Sequence, residues 1–214
     1  PRSDGRGYVA GLDDGQRIEA DAVILALPAY ATAGLVRDWL PEVASELSAI
    51  PYHHSVVAAL AYNRKDVSHP LDASGFLVPV TQPTVVTAST WVSSKWPHAV
   101  PEDKVLIRCF IGRGVGRDWT KEPDDLIVGH ARKELERLMG LTAEPILTRV
   151  YKWRRAMPQY QVGHLDRMDR VDRLMEQAPG LYVGGAAFRG VGLPDCVREG
   201  AQAAEKAARH LGWG

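Results

Sequence analysis

The stretch from residue 180 to residue 200 has the composition of a ligand-binding turn. Its sequence, GLYVGGAAFRGVGLPDCVREG, predicts a buried strand, a glycine-rich loop and a helix. Glycines such as Gly185 and Gly192 let the backbone approach a ligand closely, and Pro194 suits the first turn of a helix. Free amides and the helix dipole at that turn favour negative charge. The pattern predicts a site for an anionic group, with a tight strand-to-helix corner that binds nothing as the alternative.

Nucleotide-binding fingerprints do not match this spacing. A dinucleotide fingerprint needs glycines directly at the strand end and an acidic residue about 20 residues further on. A second glycine-rich stretch, GRGVGR at residues 112–117, lacks the third glycine and is not followed at once by a helix. We expect a loop there, and no Walker loop occurs in the sequence.

Metal binding and thiol chemistry receive little support. The seven histidines are scattered, and only the adjacent His53 and His54 have a spacing that could hold a metal. We therefore predict no metal site. Cys196 falls on the first turn of the predicted helix, where its thiol could be activated, but a small buried apolar role is favoured.

Two groups of charged residues have competing interpretations. The basic cluster, defined as Arg149, Lys152, Arg154 and Arg155, could bind a carboxylate, or it could be a solvated strand end. Three Asp-Arg pairs between residues 166 and 173 neutralise one another along a predicted helix, which indicates a solvated face.

Composition limits the classes of protein to consider. The 26 basic and 26 acidic side chains cancel, which argues against nucleic acid as the main partner. Only Cys109 and Cys196 are present, so a reduced, cytoplasmic chain is favoured over a disulfide scaffold. No run of about 18 apolar residues is present to span a bilayer.

The secondary-structure pattern changes twice along the chain. Asp-Gly at residues 14–15 predicts a hairpin turn, and the apolar run at 22–28 predicts a strand buried on both faces. The middle contains four short β-branched runs and an amphipathic helix at residues 123–140, which is typical of an antiparallel sheet with a helix. Helix, strand and helix patterns return after residue 163. The predicted fold class is α/β with an α+β insertion.

Several motifs together resemble one family. They are GVGLPDC at residues 190–196, MPQY at 157–160, VGH at 162–164, SSKWP at 93–97 and the more widely shared ADAVILALP at 20–28. The chain resembles the C-terminal half of the FAD-dependent protoporphyrinogen and coproporphyrinogen oxidases of haem biosynthesis. The combination is specific, whereas each piece alone is not.

The resemblance implies a Rossmann-like FAD-binding domain that is interrupted by an antiparallel-sheet substrate domain. On this basis residues 1–34 and 153–214 belong to the FAD-binding domain, and residues 35–152 belong to the substrate domain. The GxGxxG turn that holds the ADP part of FAD in the family does not occur in these 214 residues. We therefore expect the chain alone to be inactive and to bind FAD weakly or not at all.

The resemblance also implies the site. Trp153, Val191, Gly192 and Leu193 match family residues that contact FAD, and Gly185 is added from its place in the glycine loop. The family reaction removes six electrons from a porphyrinogen, with FAD as hydride acceptor and molecular oxygen as oxidant. No catalytic acid or base is assigned. We expect a cytoplasmic protein, with peripheral association with the inner face of the membrane left open.

Two other functions remain open from the sequence. Another amine-oxidase-like flavoprotein, such as an amine oxidase or a carotenoid desaturase, would share the strand at 22–28 and the closing helix. A non-catalytic sheet module for assembly is the alternative from a different class. The choice between protoporphyrinogen and coproporphyrinogen, and the oligomeric state, are also left open.

Overall fold

The computed structural model describes residues 7–112 and 117–213, together with Pro1. The chain divides into unit 1, Pro1–Tyr52 with Pro158–Gly214, and unit 2, His53–Met157. Residues 113–116 of the glycine-rich stretch GRGVGR lie outside the described residues, so its predicted loop is not observed. No helix within the described ranges is long and apolar enough to cross a membrane.

Nine strands and six α-helices are interspersed along the described chain. In order they are β1 (Tyr8–Gly11), β2 (Arg17–Ala20), β3 (Val23–Leu25), α1 (Ala29–Val36), α2 (Pro41–Ser48), β4 (Tyr52–Asn63), β5 (Gly75–Leu77), β6 (Val86–Trp91), α3 (Val92–Lys95), β7 (Lys104–Ile111), α4 (Asp124–Met139), β8 (Leu147–Pro158), α5 (His164–Met175), β9 (Leu181–Val183) and α6 (Leu193–His210). The chain is therefore a mixed α/β protein with more than one sheet, in agreement with the coarse fold class.

Unit 1 combines a hairpin, a parallel strand pair and four helices. β1 and β2 pair antiparallel across the turn in which Gly15 has a φ of +85°, which glycine tolerates without a steric penalty. β3 pairs in parallel with β9, with Val23 opposite Leu181. Helices α1, α2 and α5 share a buried apolar core that includes Val36, Leu47 and Val171. The core brings the two sequence segments of unit 1 together.

The strand at residues 23–25 is not buried on both faces, and this prediction is wrong. Ile24 is 40% exposed and Leu27 is 41% exposed. Among the described residues β3 has one strand neighbour, β9, and the elements around this pair leave part of its surface uncovered. A continuous apolar run indicates that a strand can be buried, but the neighbours decide how much of it is. Ile24→Ala should consequently lower the free energy of unfolding by less than the truncation of a fully buried side chain does.

Unit 2 is built on a five-stranded sheet with the strand order β5-β6-β7-β4-β8. β4 and β7 pair antiparallel, with Leu60 opposite Ile107, and β6 and β5 continue the antiparallel pairing on one side. Helix α4 covers one face through Ile127 and Leu135, which join the buried core of the sheet. Gly140 ends α4 in the left-handed conformation with a φ of +66°, as its sequence predicts. The antiparallel sheet with one amphipathic helix is thereby confirmed.

The unit boundaries differ from the sequence-based domain boundaries. The units meet at Tyr52/His53 and Met157/Pro158, whereas the predicted boundaries fall at residues 34/35 and 152/153. Residue 34 lies inside α1, and α1 packs closely with α2, so the whole helix pair stays with unit 1. The functions assigned to the two segments stay predictions.

The Asp-Arg pairs of α5 do not neutralise one another as the sequence suggested. Arg167 and Arg170 both pair with Glu46 of α2, at N–O distances of 2.8 and 2.9 Å. Both distances are short enough for charge-assisted hydrogen bonds. The charged face of α5 therefore fastens this helix to α2.

This ion-pair group predicts an acid-sensitive contact. The hydrogen bond and charge of Arg170, with the charge of Arg167, lower the pKa of Glu46. A depressed folded-state pKa means that the stabilisation is present above the unfolded value of about 4.3 and is lost as the pH falls through the folded value. We expect Glu46→Gln to lower the free energy of unfolding by about 0.5–1 kcal/mol at neutral pH and to change it little in acid. Urea unfolding at neutral and acidic pH tests this, with Glu42→Gln, an exposed site on the same helix, as the matched control. Equal losses for Glu46→Gln at both pH values would contradict it.

Candidate functional site

A glycine-rich loop connects β9 to α6 and leaves the start of that helix open. Gly192 is the N-cap residue, with φ −74° and ψ 150°, and Pro194 lies in the first turn. The Cys196 N–H donates to the Gly192 carbonyl at 2.9 Å and begins the helix. Within the part of the chain that the structure describes, no side-chain hydrogen bond at the N-cap position caps this helix. The first amides of α6 are therefore free to bind an anionic group, because they have no intrahelical acceptors.

A side chain would meet different surroundings at each glycine of this loop. Gly185 has a φ of +122°, a conformation that other residues rarely adopt, and no atom lies within 4 Å of where its Cβ would be. A Cβ at Gly190 would lie 2.4 Å from Asp195 side-chain atoms. Gly192 has ordinary extended geometry, but its Cβ would lie 3.1 Å from the Asp195 Oδ2 atom. The loop thus combines open space at one end with close packing against the helix start at the other.

Tyr160 and His164 hold the loop in place. The Tyr160 hydroxyl donates to the Ala186 carbonyl and accepts from the Gly190 N–H, both at 2.8 Å. Its ring stacks on the His164 ring with 3.7 Å between centroids. His164 is buried, and its Nε2 atom lies 2.7 Å from the Phe188 carbonyl oxygen. The MPQY and VGH motifs therefore supply the two side chains that fix the loop backbone.

Removal of the Tyr160 hydroxyl should loosen this loop. Tyr160→Phe keeps the ring stacked on His164 but leaves the Ala186 carbonyl and the Gly190 N–H without their partner. Each lost hydrogen bond is worth about 0.5–1.5 kcal/mol. We expect faster hydrogen exchange at the Gly190 amide and a loss of about 1–2 kcal/mol in unfolding free energy. Tyr151→Phe, at an exposed tyrosine of unit 2, is the control, and unchanged exchange at Gly190 would contradict the role of Tyr160.

Arg189 anchors the same loop to α5. Its guanidinium pairs with Asp169 at 2.8 Å and with Asp172 at 2.7 Å. Both carboxylates belong to the charge pattern that the sequence indicated as a self-neutralising, solvated face. The self-neutralising part of that interpretation was wrong, because spacing within a helix does not show which charges arrive from a loop distant in sequence. The solvated part agrees with the structure, since the side chains of Asp169 and Asp172 are 56% and 51% exposed.

Four of the five predicted site residues lie together. Gly185, Val191, Gly192 and Leu193 occupy the loop and the first helical residue, and Leu193 is 83% exposed. Val197, one turn further on, is also exposed. Trp153 lies on β8, in unit 2, and is 58% exposed. The loop therefore offers an exposed apolar surface beside free amides, which fits a flat, partly apolar group with a negatively charged edge, as the expected FAD has.

A cavity in unit 1 borders this loop only at Phe188 and Arg189. It has a volume of about 440 Å³ and lies between α5, β9 and α6, where Met168, Tyr182 and Gln202 contribute to its wall. None of the five predicted site residues lines it. The candidate site is thus the surface of the loop and the helix start.

The basic cluster does not form one anion site. Lys152 pairs with Asp124 at 2.6 Å and donates to the Glu122 carbonyl at 2.7 Å. Arg149 donates to the carbonyl of its neighbour Thr148. Half of the cluster is thus engaged with nearby backbone or carboxylate groups, which favours its structural interpretation.

Metal and thiol sites find no support in the described chain. Over residues 7–112 and 117–213, no three histidine, cysteine, aspartate or glutamate side chains come together as metal ligands. Cys196 is half-buried, and its Sγ lies 3.9 Å from the Gly190 carbonyl oxygen. Burial raises the pKa of Cys109 to about 12, which keeps that thiol protonated.

Sequence comparisons match this chain to one flavoprotein family and to coproporphyrinogen III oxidases within the known proteins. The model of the flavin containing amine oxidoreductase family matches residues 2–208. Coproporphyrinogen III oxidase of Bacillus subtilis is 35% identical over 97% of this chain and 44% of its own length. That of Staphylococcus aureus is 38% identical over 71% of this chain and 33% of its own length.

A solved structure matches over nearly all of the chain. The crystal structure of a protein from Exiguobacterium sp. 255-15, assigned as a protoporphyrinogen oxidase, aligns with a TM-score of 0.81 and 32% identity. The alignment covers 99% of this chain and 45% of that one. The chain thus spans less than half the length of these relatives.

Proposed function

Because this chain belongs to the flavin containing amine oxidoreductase family, we propose that it forms part of an oxidase that converts coproporphyrinogen III to coproporphyrin III. The named relatives from Bacillus subtilis and Staphylococcus aureus support coproporphyrinogen as the substrate. Protoporphyrinogen, named for the Exiguobacterium protein, is the second candidate.

The family match confirms the predicted flavin cofactor and the predicted class of oxidoreductase. The resemblance to haem-biosynthesis oxidases is confirmed as well. These relatives favour a porphyrinogen oxidase over an amine oxidase, a carotenoid desaturase or a non-catalytic assembly module.

The observation that carries the proposal is the uncapped start of α6 beside an exposed apolar loop. The amides at this turn would bind the negatively charged edge of the flavin, and Val191 and Leu193 would cover part of its apolar ring. Tyr160 and His164 would keep that surface in one conformation. Trp153 and Gly185 complete the proposed cofactor-binding set.

The different sheets of the two units support different roles for them. We assign unit 1, with its parallel strand pair, to a Rossmann-like FAD-binding domain and unit 2, with its antiparallel sheet, to a substrate domain inserted into it. FAD held by the α6 loop would supply a hydride acceptor for the porphyrinogen, with molecular oxygen as the final oxidant. Three such two-electron steps release three protons and convert the porphyrinogen to the porphyrin. This chain's own contribution would be to orient the ring and exclude water.

The proposal is tested on the complete protein. The purified protein should carry bound flavin, consume oxygen with coproporphyrinogen III and form fluorescent coproporphyrin. The same assay with protoporphyrinogen measures substrate preference. Bound flavin without oxidation of either porphyrinogen would contradict the proposed reaction while leaving family membership intact.

A further inference from the structure

Strand β7 presents different residues to the two faces of the unit 2 sheet. Side chains alternate along a strand, and Val105, Ile107 and Cys109 lie in the buried core beneath α4. Arg108 and Phe110 alternate with those residues and lie outside that core. They belong to the opposite face, which we call the outer face.

Arg108 is half-buried on this outer face without a counterion. Within residues 7–112 and 117–213, no carboxylate lies within salt-bridge distance of its guanidinium. That group lies 5.3 Å from the centre of the Phe110 ring. Other arginines of the protein, such as Arg167 and Arg189, bind carboxylates closely. A guanidinium removed partly from water and left with an aromatic face alone retains most of its hydrogen-bonding capacity.

The strands on either side of β7 place little side-chain bulk beside Arg108. Its cross-strand partners are Ala59 on β4 and Thr90 on β6, and both are small. Steric hindrance of a ligand at the guanidinium from these two positions is therefore small.

Strand β8 adds aromatic surface to the same face. Val150 packs against the core, and Lys152 pairs with Asp124 at the start of α4, so both lie on the α4 side. Tyr151 and Trp153 alternate with them and are each at least half exposed. The outer face therefore carries exposed aromatic rings on β8, the second strand from β7, as well as the unpaired guanidinium of Arg108.

We propose that Arg108 binds a propionate carboxylate of the porphyrinogen and selects for coproporphyrinogen, an inference that rests on the proposed function. Coproporphyrinogen has four propionates, whereas protoporphyrinogen has two, the others being replaced by vinyl groups. Guanidinium and carboxylate form two parallel hydrogen bonds. A substrate that offers a vinyl group leaves the guanidinium unpaired, and such a mismatch discriminates strongly. Arg108 lies outside the basic cluster that the sequence suggested for this role.

The test compares both substrates in the complete, flavin-loaded protein. Arg108→Met should raise the KM for coproporphyrinogen about tenfold, equivalent to about 1.4 kcal/mol, with kcat little changed. The KM for protoporphyrinogen should change less, so the ratio of the two kcat/KM values should fall. Lys133→Met, on the exposed side of α4, is the matched control and should leave the ratio at its wild-type value.

The outcomes separate the inference from the proposed function. A wild-type protein that oxidises neither porphyrinogen overturns both. A wild-type protein that oxidises them, with the same substrate ratio in Arg108→Met, overturns the role of Arg108 alone. If Arg108→Met does not fold, Arg108→Lys takes its place, because it keeps the charge but loses the paired hydrogen-bond geometry. The ratio of kcat/KM for coproporphyrinogen to that for protoporphyrinogen should then be lower in Arg108→Lys than in wild type. An unchanged ratio in Arg108→Lys would then overturn the inference.

Discussion

Replacing Gly192 with Asp in the complete protein should reduce porphyrinogen turnover by at least about a hundredfold. Aspartate is a favourable N-cap residue, so the variant should fold, but its carboxylate would occupy the first amides of α6. It would also place a fixed negative charge where the cofactor's charged edge is proposed to bind. Two unit charges about 4 Å apart repel by about 4 kcal/mol at an effective dielectric of about 20. A hundredfold loss in rate requires only ~2.7 kcal/mol.

Gly192→Asn separates the charge from the added bulk. Asparagine has the same shape and also caps helices, and both variants crowd the Asp195 carboxylate, whose Oδ2 lies 3.1 Å from the new Cβ. We expect the Asn variant to turn over at least about tenfold faster than the Asp variant and to retain a higher flavin reduction potential. Arg189→Ala is a poor control because Arg189 anchors the loop through Asp169 and Asp172. Wild-type rate and potential in Gly192→Asp would place the flavin elsewhere.

Leu60→Ala should destabilise unit 2 by about 2–5 kcal/mol, a large part of the usual stability of a domain. Leu60 is 0% exposed on β4, at the centre of the core between the sheet and α4. Leu77→Ala removes the same atoms from a side chain that is 84% exposed on β5 and should cost less than about 0.5 kcal/mol. Chemical unfolding of the two variants measures the difference. Equal losses would mean that the face of the sheet that carries Leu60 is not its core.

Local sequence signals predicted most elements of the fold. The strand predicted at the start of the stretch 180–200 forms at Leu181–Val183, and the amphipathic pattern at 123–140 became α4 with Gly140 at its end. These predictions succeed because alternation, helical periodicity and a glycine stop act over neighbouring residues. The hairpin at Gly15 has the same origin.

Long-range partners were beyond the sequence. Ile24 belongs to an apolar run, but its exposure depends on strands and helices distant along the chain. The ion-pair partners of Glu46 and Arg189 could not be predicted either, because both residues pair with side chains of α5, a different element from their own. Tyr160 stood out as part of a motif, yet its hydrogen bonds to the loop backbone required coordinates. Arg108 was missed, although a single arginine between Leu106 and Phe110 in an alternating strand is a signal that could have identified it.

The pairing of β3 with β9 has a consequence for synthesis on the ribosome. Val23 cannot pair until its partner Leu181 has been synthesised. At about 5–20 residues per second, synthesis of the chain between them takes roughly 10–30 s. Unit 2 is continuous from His53 to Met157, so it can finish folding first, while α1 and α2 still lack α5. Until residues 158–214 emerge, the apolar side chains of Val36 and Leu47 lack part of their core and are exposed to chaperones and to aggregation.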